Sequence, residues 1–245
     1  MTTDTLLDRF LQSLEPLAPV AVWAHGSLAG GDYQEGRSDL DLIAVLDRPV
    51  TARTAWRLGL LHARLRAEPL AGQLHCTYLS PDLVAGSARR HLTWAHGQLF
   101  KRPVTPVTRR ELHTFGRVLL GEAPGSVLPP VSDTELAGFV VRDQRDFWRP
   151  AVRRGELWRQ DVWVDLGLLT FARATVTLRD GTLVSKRQAL TELRGLGAPG
   201  EVVDDIERRR YKNPVPPAAD WTVRRGELTR SYLGPAIDTL VASYS

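Results

Sequence analysis

Lysine is nearly missing from this sequence: of 32 basic residues three are lysine and the rest arginine, set against 28 acidic residues for a net charge of +4. No block of like charge exceeds Arg208-Arg209-Arg210, so the basic stripe of a nucleic-acid binder is absent and no nucleic-acid partner is expected. Cysteine is reduced to Cys76, which excludes an intrachain disulfide framework and a structural zinc set. No apolar run reaches the length of a membrane span, so no membrane partner is expected. Met1 to Asp8 carries acidic residues before the first basic one, unlike a signal peptide, and a cytoplasmic enzyme is the expectation. What is present is ordinary for a globular protein: 245 residues, 43% hydrophobic and 24% charged, enough for one large domain or two modest ones.

The order of patterns predicts an α+β fold. Leu6, Leu7, Phe10, Leu11, Leu14 and Leu17 recur at helical spacing, closed by Pro16 and Pro19. Val20 to Ala24 reads as a buried strand, Gly26 to Arg37 as a loop, and Asp39 to Leu46 as a second strand. Thr51 to Arg66 follows as a helix and Gln73 to Leu79 as a strand, which makes a small mixed β-sheet backed by helices. Gly121 to Pro130 holds two glycines and three prolines and is the best linker candidate. Beyond it the pattern turns helical. Ser132 with Glu135 and Ser185 with Gln188 are capping signatures. Glu156 to Leu178, Glu201 to Tyr211 and Asp220 to Tyr244 are further helices, the last interrupted at Gly234-Pro235. Residues 1–125 are therefore expected to form the sheet domain and 126–245 an all-helical C-terminal domain.

Chemistry concentrates between His25 and Leu46. A glycine–serine turn, Gly26-Ser27, precedes Ser38-Asp39-Leu40-Asp41 by about a dozen residues. Asp39 and Asp41 are two apart on a strand, so their carboxylates share one face while Leu40 and Leu42 face the core. Paired carboxylates of this kind suit magnesium, a hard divalent cation that takes oxygen ligands from protein and triphosphate together. The turn offers backbone N–H groups and a hydroxyl to phosphate oxygens, and glycine permits close approach.

This pattern resembles the DNA polymerase beta-like nucleotidyltransferase superfamily, and within it the streptomycin/spectinomycin aminoglycoside adenylyltransferases. Leu169-Thr170-Phe171-Ala172-Arg173 and Gly181-Thr182-Leu183-Val184-Ser185-Lys186 are similar to stretches of that family's helical domain, and Arg208-Arg209-Arg210-Tyr211 to its basic stretch ending in tyrosine. The resemblance implies a magnesium-dependent transfer of AMP from ATP to a hydroxyl of a small-molecule acceptor. Asp39 and Asp41 would be the catalytic metal ligands. Gly26, Ser27, Ser38, Arg173, Lys186 and Tyr211 would contact the nucleotide. Arginine and lysine neutralise phosphate, in keeping with that role.

The family's third carboxylate, its general base, is missing. His75 stands at that place in Gln73-Leu74-His75-Cys76-Thr77-Tyr78, with Glu68 and Asp82 outside the strand. Three outcomes stay open. His75 can act as the base, since an imidazole of pKa ~6.5 suits proton abstraction. Another carboxylate from the helical half can complete the site. Or the protein binds nucleotide and transfers slowly. Transfer to a protein or nucleic acid instead of a small antibiotic also stays open.

Overall fold

The structure is a computed structural model that describes residues 2–80, 89–212 and 218–244; Asp82 lies outside them. The chain divides into two compact units between Val131 and Ser132.

The first unit is built on a six-stranded sheet. Helix α1 (Thr3–Leu14) starts at Thr2, whose side chain accepts the Thr5 N–H, and buries Leu6, Leu7, Phe10 and Leu14. Strand β1 (Pro19–Ala24) leads into a single helical turn, α2 (Gly26–Ala29), and then β2 (Leu40–Leu46). Helix α3 (Ala52–Leu65), capped by Thr51, precedes β3 (Leu74–Leu79). The β4 (Arg90–Ala95) and β5 (Gln98–Pro103) hairpin, helix α4 (Pro106–Phe115) and β6 (Arg117–Gly121) complete it. The hydrophobic pattern does not announce these last four elements. Strands β5 and β6 lie at the sheet edges, largely exposed or half-exposed; β5 mixes polar and apolar residues, and the apolar run of β6, Val118 to Leu120, is only three residues long.

The strand order is β5-β4-β3-β2-β1-β6, with β2 and β3 parallel and every other pair antiparallel. Alternation sorts each strand's residues between the two faces. Val22, Ala24, Leu40, Leu42, Leu74, Cys76, Tyr78 and Trp94 join the buried residues of α1 and α3 in one core. Ala21, Trp23, Ile43, Val45 and Leu79 form a second core with Val104, Leu112 and Leu128. By the same alternation Asp41 and His75 share the face of Ile43 and Leu79.

The second unit is helical: α5 (Asp133–Asp143), a wider turn over Gln144–Trp148, α6 (Arg149–Val152), α7 (Asp161–Asp180), α8 (Lys186–Gly195), α9 (Gly200–Tyr211) and α10 (Ala219–Tyr244). Helix α7 packs on α5, α8 and α10. Fully buried Trp158 is seated by glycines: a Cβ at Gly167 or Gly226 would lie 2.6 Å from its atoms. The structure corrects two expectations. The helix expected from Glu156 begins only at Asp161, because Gln160 is extended after a short turn at Leu157–Arg159. The last helix runs unbroken through Pro235. Proline removes one hydrogen bond there, but Leu233 and Ile237, 0% and 1% exposed, anchor the helix on both sides. The capping box at Ser185 and Gln188 forms in full.

Candidate active site

The site of the first unit is a row across one end of the sheet. Strand β1 runs into His25, whose N–H donates to the Asp41 carbonyl at 2.9 Å. Gly26 follows with φ +60°, and a Cβ there would lie 2.8 Å from Asp41 Oδ2. Glycine is thus required twice, by backbone conformation and by the closeness of the turn to the carboxylate. Ser27 lies in the same turn, its carbonyl accepting from the Asp32 N–H at 3.0 Å. Ser38 is buried, and its hydroxyl accepts the Gln34 N–H at 3.1 Å. That bond shapes the loop that delivers Asp39.

The parallel register of β2 and β3 sets Asp41 beside His75. His75 Nδ1 lies 3.7 Å from Asp41 Oδ1, and its Nε2 lies 3.8 Å from Asp39 Oδ1. His75 is buried, and its Nε2 has no hydrogen-bond partner among the described residues. The Asp39 side chain is half exposed, whereas that of Asp41 is 28% exposed. Burial by itself would raise the Asp41 carboxyl, but the polar contact with His75 and the charges of His25, His75 and Arg102 outweigh it and hold the group at about 2. Asp41 is therefore a carboxylate at neutral pH. Cys76, next to His75, points into the opposite core, where burial pushes its thiol up to about 12 and removes it as a nucleophile.

Three residues that spacing did not single out belong to this row. Glu111 of α4 brings Oε2 within 3.1 Å of His25 Nδ1, with both side chains buried. Arg102 of β5 donates from Nε to Thr77 Oγ1 at 3.4 Å and acts on Asp41 through its charge. His96 sets its ring against that of His75, centroids 4.5 Å apart. Glu111 and Arg102 carried no signal in the sequence, because their contacts exist only once α4 and the strands are in place. At His96 the one local sign was the glycine that follows it, Gly97, a turn-favouring residue.

In the second unit the residues expected to meet the nucleotide gather around the start of α8. Arg173 of α7 donates from Nε to the Val184 carbonyl at 2.9 Å, two positions before Lys186 at the first turn of α8. Tyr211, the last residue of α9, lies under the Arg187 guanidinium, 3.9 Å from ring centroid to Cζ. The neighbouring basic stretch is engaged otherwise. Arg209 donates to Asp205 at 3.0 Å and to Asp165 at 2.6 Å, while Arg208 donates to Asp205 at 3.2 Å. Fully buried Arg225 joins them, donating to Asp205 at 3.0 Å and Asp161 at 2.5 Å. This network ties α7, α9 and α10 together.

Among the described residues no group of three or more histidine, cysteine, aspartate or glutamate side chains is arranged to hold a metal ion. The same residues include no helix long and apolar enough to cross a membrane.

Residues 6–115 match the model of the nucleotidyltransferase domain family. No curated protein matches the chain. Among solved structures it is similar to a spectinomycin adenyltransferase of Enterococcus faecialis, determined with ATP and spectinomycin. That likeness has a TM-score of 0.76 at 14% identity and covers 96% of this chain and 99% of the other, so the fold is shared while the sequences have diverged. Residues 6–115 are thus a nucleotidyltransferase domain, carried in a chain that shares its fold with that adenyltransferase.

Proposed function

We propose that this enzyme transfers AMP from ATP to a hydroxyl of a small acceptor, with magnesium, and that an aminoglycoside-type antibiotic such as spectinomycin is the acceptor class. The observation that carries the reading is the placement of Asp39 and Asp41 on either side of His75, beside a glycine turn that leaves room for nothing larger. Both carboxylates suit a hard divalent cation, and phosphate oxygens and water would supply its remaining ligands. When bound, the ion would neutralise charge developing on the triphosphate.

The acceptor oxygen attacks the α-phosphorus in line, the bond from that phosphorus to the bridging oxygen breaks, and pyrophosphate leaves. The acceptor proton goes to His75, whose Nε2 has no hydrogen-bond partner among the described residues. Gly26 and Ser27 face phosphate oxygens, and Ser38 holds the loop that presents Asp39. Arg102 adds positive charge on the same side of the sheet. Arg173, Lys186 and Tyr211 are the nucleotide contacts of the helical unit, supported by their grouping around the start of α8.

A second reading is nucleotide binding with slow transfer. It is favoured by the two-carboxylate set, which His75 does not extend to a group suited to a metal. Labelled ATP and magnesium, offered to spectinomycin, streptomycin and the protein itself, separate the readings. Labelled antibiotic supports the first, binding without product the second, and labelled protein would replace the acceptor class. Asp39→Asn and Asp41→Asn should each lower transfer by more than about a hundredfold while the protein stays folded. Full activity in both would sink the assignment.

A further inference from the structure

The β4–β5 hairpin closes through two residues, His96 and Gly97, with φ of 51° and 74°. Two successive positive φ values are the signature of the turn that best matches strand twist, and its first position favours asparagine or aspartate. A histidine there is not the residue the backbone most wants. Its side chain goes to a specific place: the His96 ring meets the His75 ring nearly edge to face, with centroids 4.5 Å apart and planes at 71°, and His96 itself is exposed. On its other sides His75 has Asp39 at 3.8 Å and Asp41 at 3.7 Å.

We propose that His96 is a positioning residue of the transfer reaction: its ring braces the His75 imidazole in the orientation that addresses both aspartates. The proposal rests on the reading of His75 as the base. The constraint is steric. Neither aspartate contact to His75 reaches hydrogen-bond length, so packing must fix the ring. His96 supplies that packing from the solvent side, on a two-residue turn whose geometry leaves its backbone little freedom.

The test is His96→Asn in the full chain, a substitution the turn itself accepts. Stability should stay at the wild-type value or rise. Two readouts then separate positioning from a structural role. The first needs no substrate: long-range proton–nitrogen NMR of the imidazoles, with the His75 signals assigned by their loss in His75→Gln. In His96→Asn those signals should move, and unmoved signals would overturn the proposal. The second is pyrophosphate release from magnesium ATP with spectinomycin or streptomycin, where kcat should fall about tenfold or more at little change in the KM for ATP. Moved NMR signals with unchanged kcat would overturn the link to catalysis. If the wild-type protein modifies neither antibiotic, the proposed acceptor class fails, while the NMR comparison still decides whether His96 braces His75.

Discussion

On the opposite side of the sheet from Asp41 and His75, His62 of α3 makes an acid-sensitive joint whose size follows from its burial. Its imidazole is 2% exposed, stacked on Trp94 with centroids 4.3 Å apart and planes at 6°. Its Nε2 lies 2.6 Å from the Tyr78 hydroxyl. Burial pushes Tyr78 well above its ordinary range, so the phenol keeps its proton in this contact. Burial lowers the His62 pKa to about 3, whereas in an unfolded chain it is ~6.5. Between those values the unfolded state binds the extra proton, so stability falls as pH falls. The contribution is fully present above about 6.5 and is lost progressively toward about 3. Each pH unit below 6.5 removes about 1.4 kcal/mol, so pH 5 removes about 2 kcal/mol. That is a large part of a typical folding free energy.

The assay is denaturant unfolding at pH 7 and pH 5 of wild type and His62→Phe. The variant loses stability at pH 7, because the Tyr78 hydroxyl loses its hydrogen bond to His62, but it should lose about 2 kcal/mol less than wild type on going to pH 5. Because the chain has two units, the transition is followed by hydrogen exchange of β3 and β4 amides, which report the unit containing His62. Equal pH dependence in the two proteins would refute this role of His62.

At the site, His75→Glu places a third carboxylate beside Asp39 and Asp41, so magnesium should raise its melting temperature more than that of wild type, by up to about 2.7 kcal/mol of stabilisation at a hundredfold excess over Kd. Equal shifts by calorimetry would mean that residue 75 does not face the metal. In the helical unit, Arg225→Ala strips a buried cation from Asp161 and Asp205, and unfolding of that unit should become easier by about 3–5 kcal/mol, a loss that denaturant titration would detect. A change below about 1 kcal/mol would show that Arg208 and Arg209 compensate.

Residue pattern alone specified the α+β class, the turn at Gly26-Ser27 and the segment that carries Asp39 and Asp41 into β2. These are local properties: a glycine with positive φ, a period of two, and an apolar face that must be buried. It also located the start of α8, since Ser185 and Gln188 cap each other across one turn. It misjudged Pro235, because a proline penalty is local whereas the packing of Leu233 and Ile237 that outweighs it is tertiary. Edge strand β5 was hidden by its mixed polar composition and β6 by the shortness of its apolar run, Val118 to Leu120. The surroundings of the paired aspartates arise only when the elements assemble. Parallel pairing of β2 with β3 set His75 beside Asp41, the hairpin turn brought His96 against it, and α4 carried Glu111 to His25. Each of these contacts joins residues far apart in the chain, and strand register, which spacing along one segment cannot specify, is what creates them.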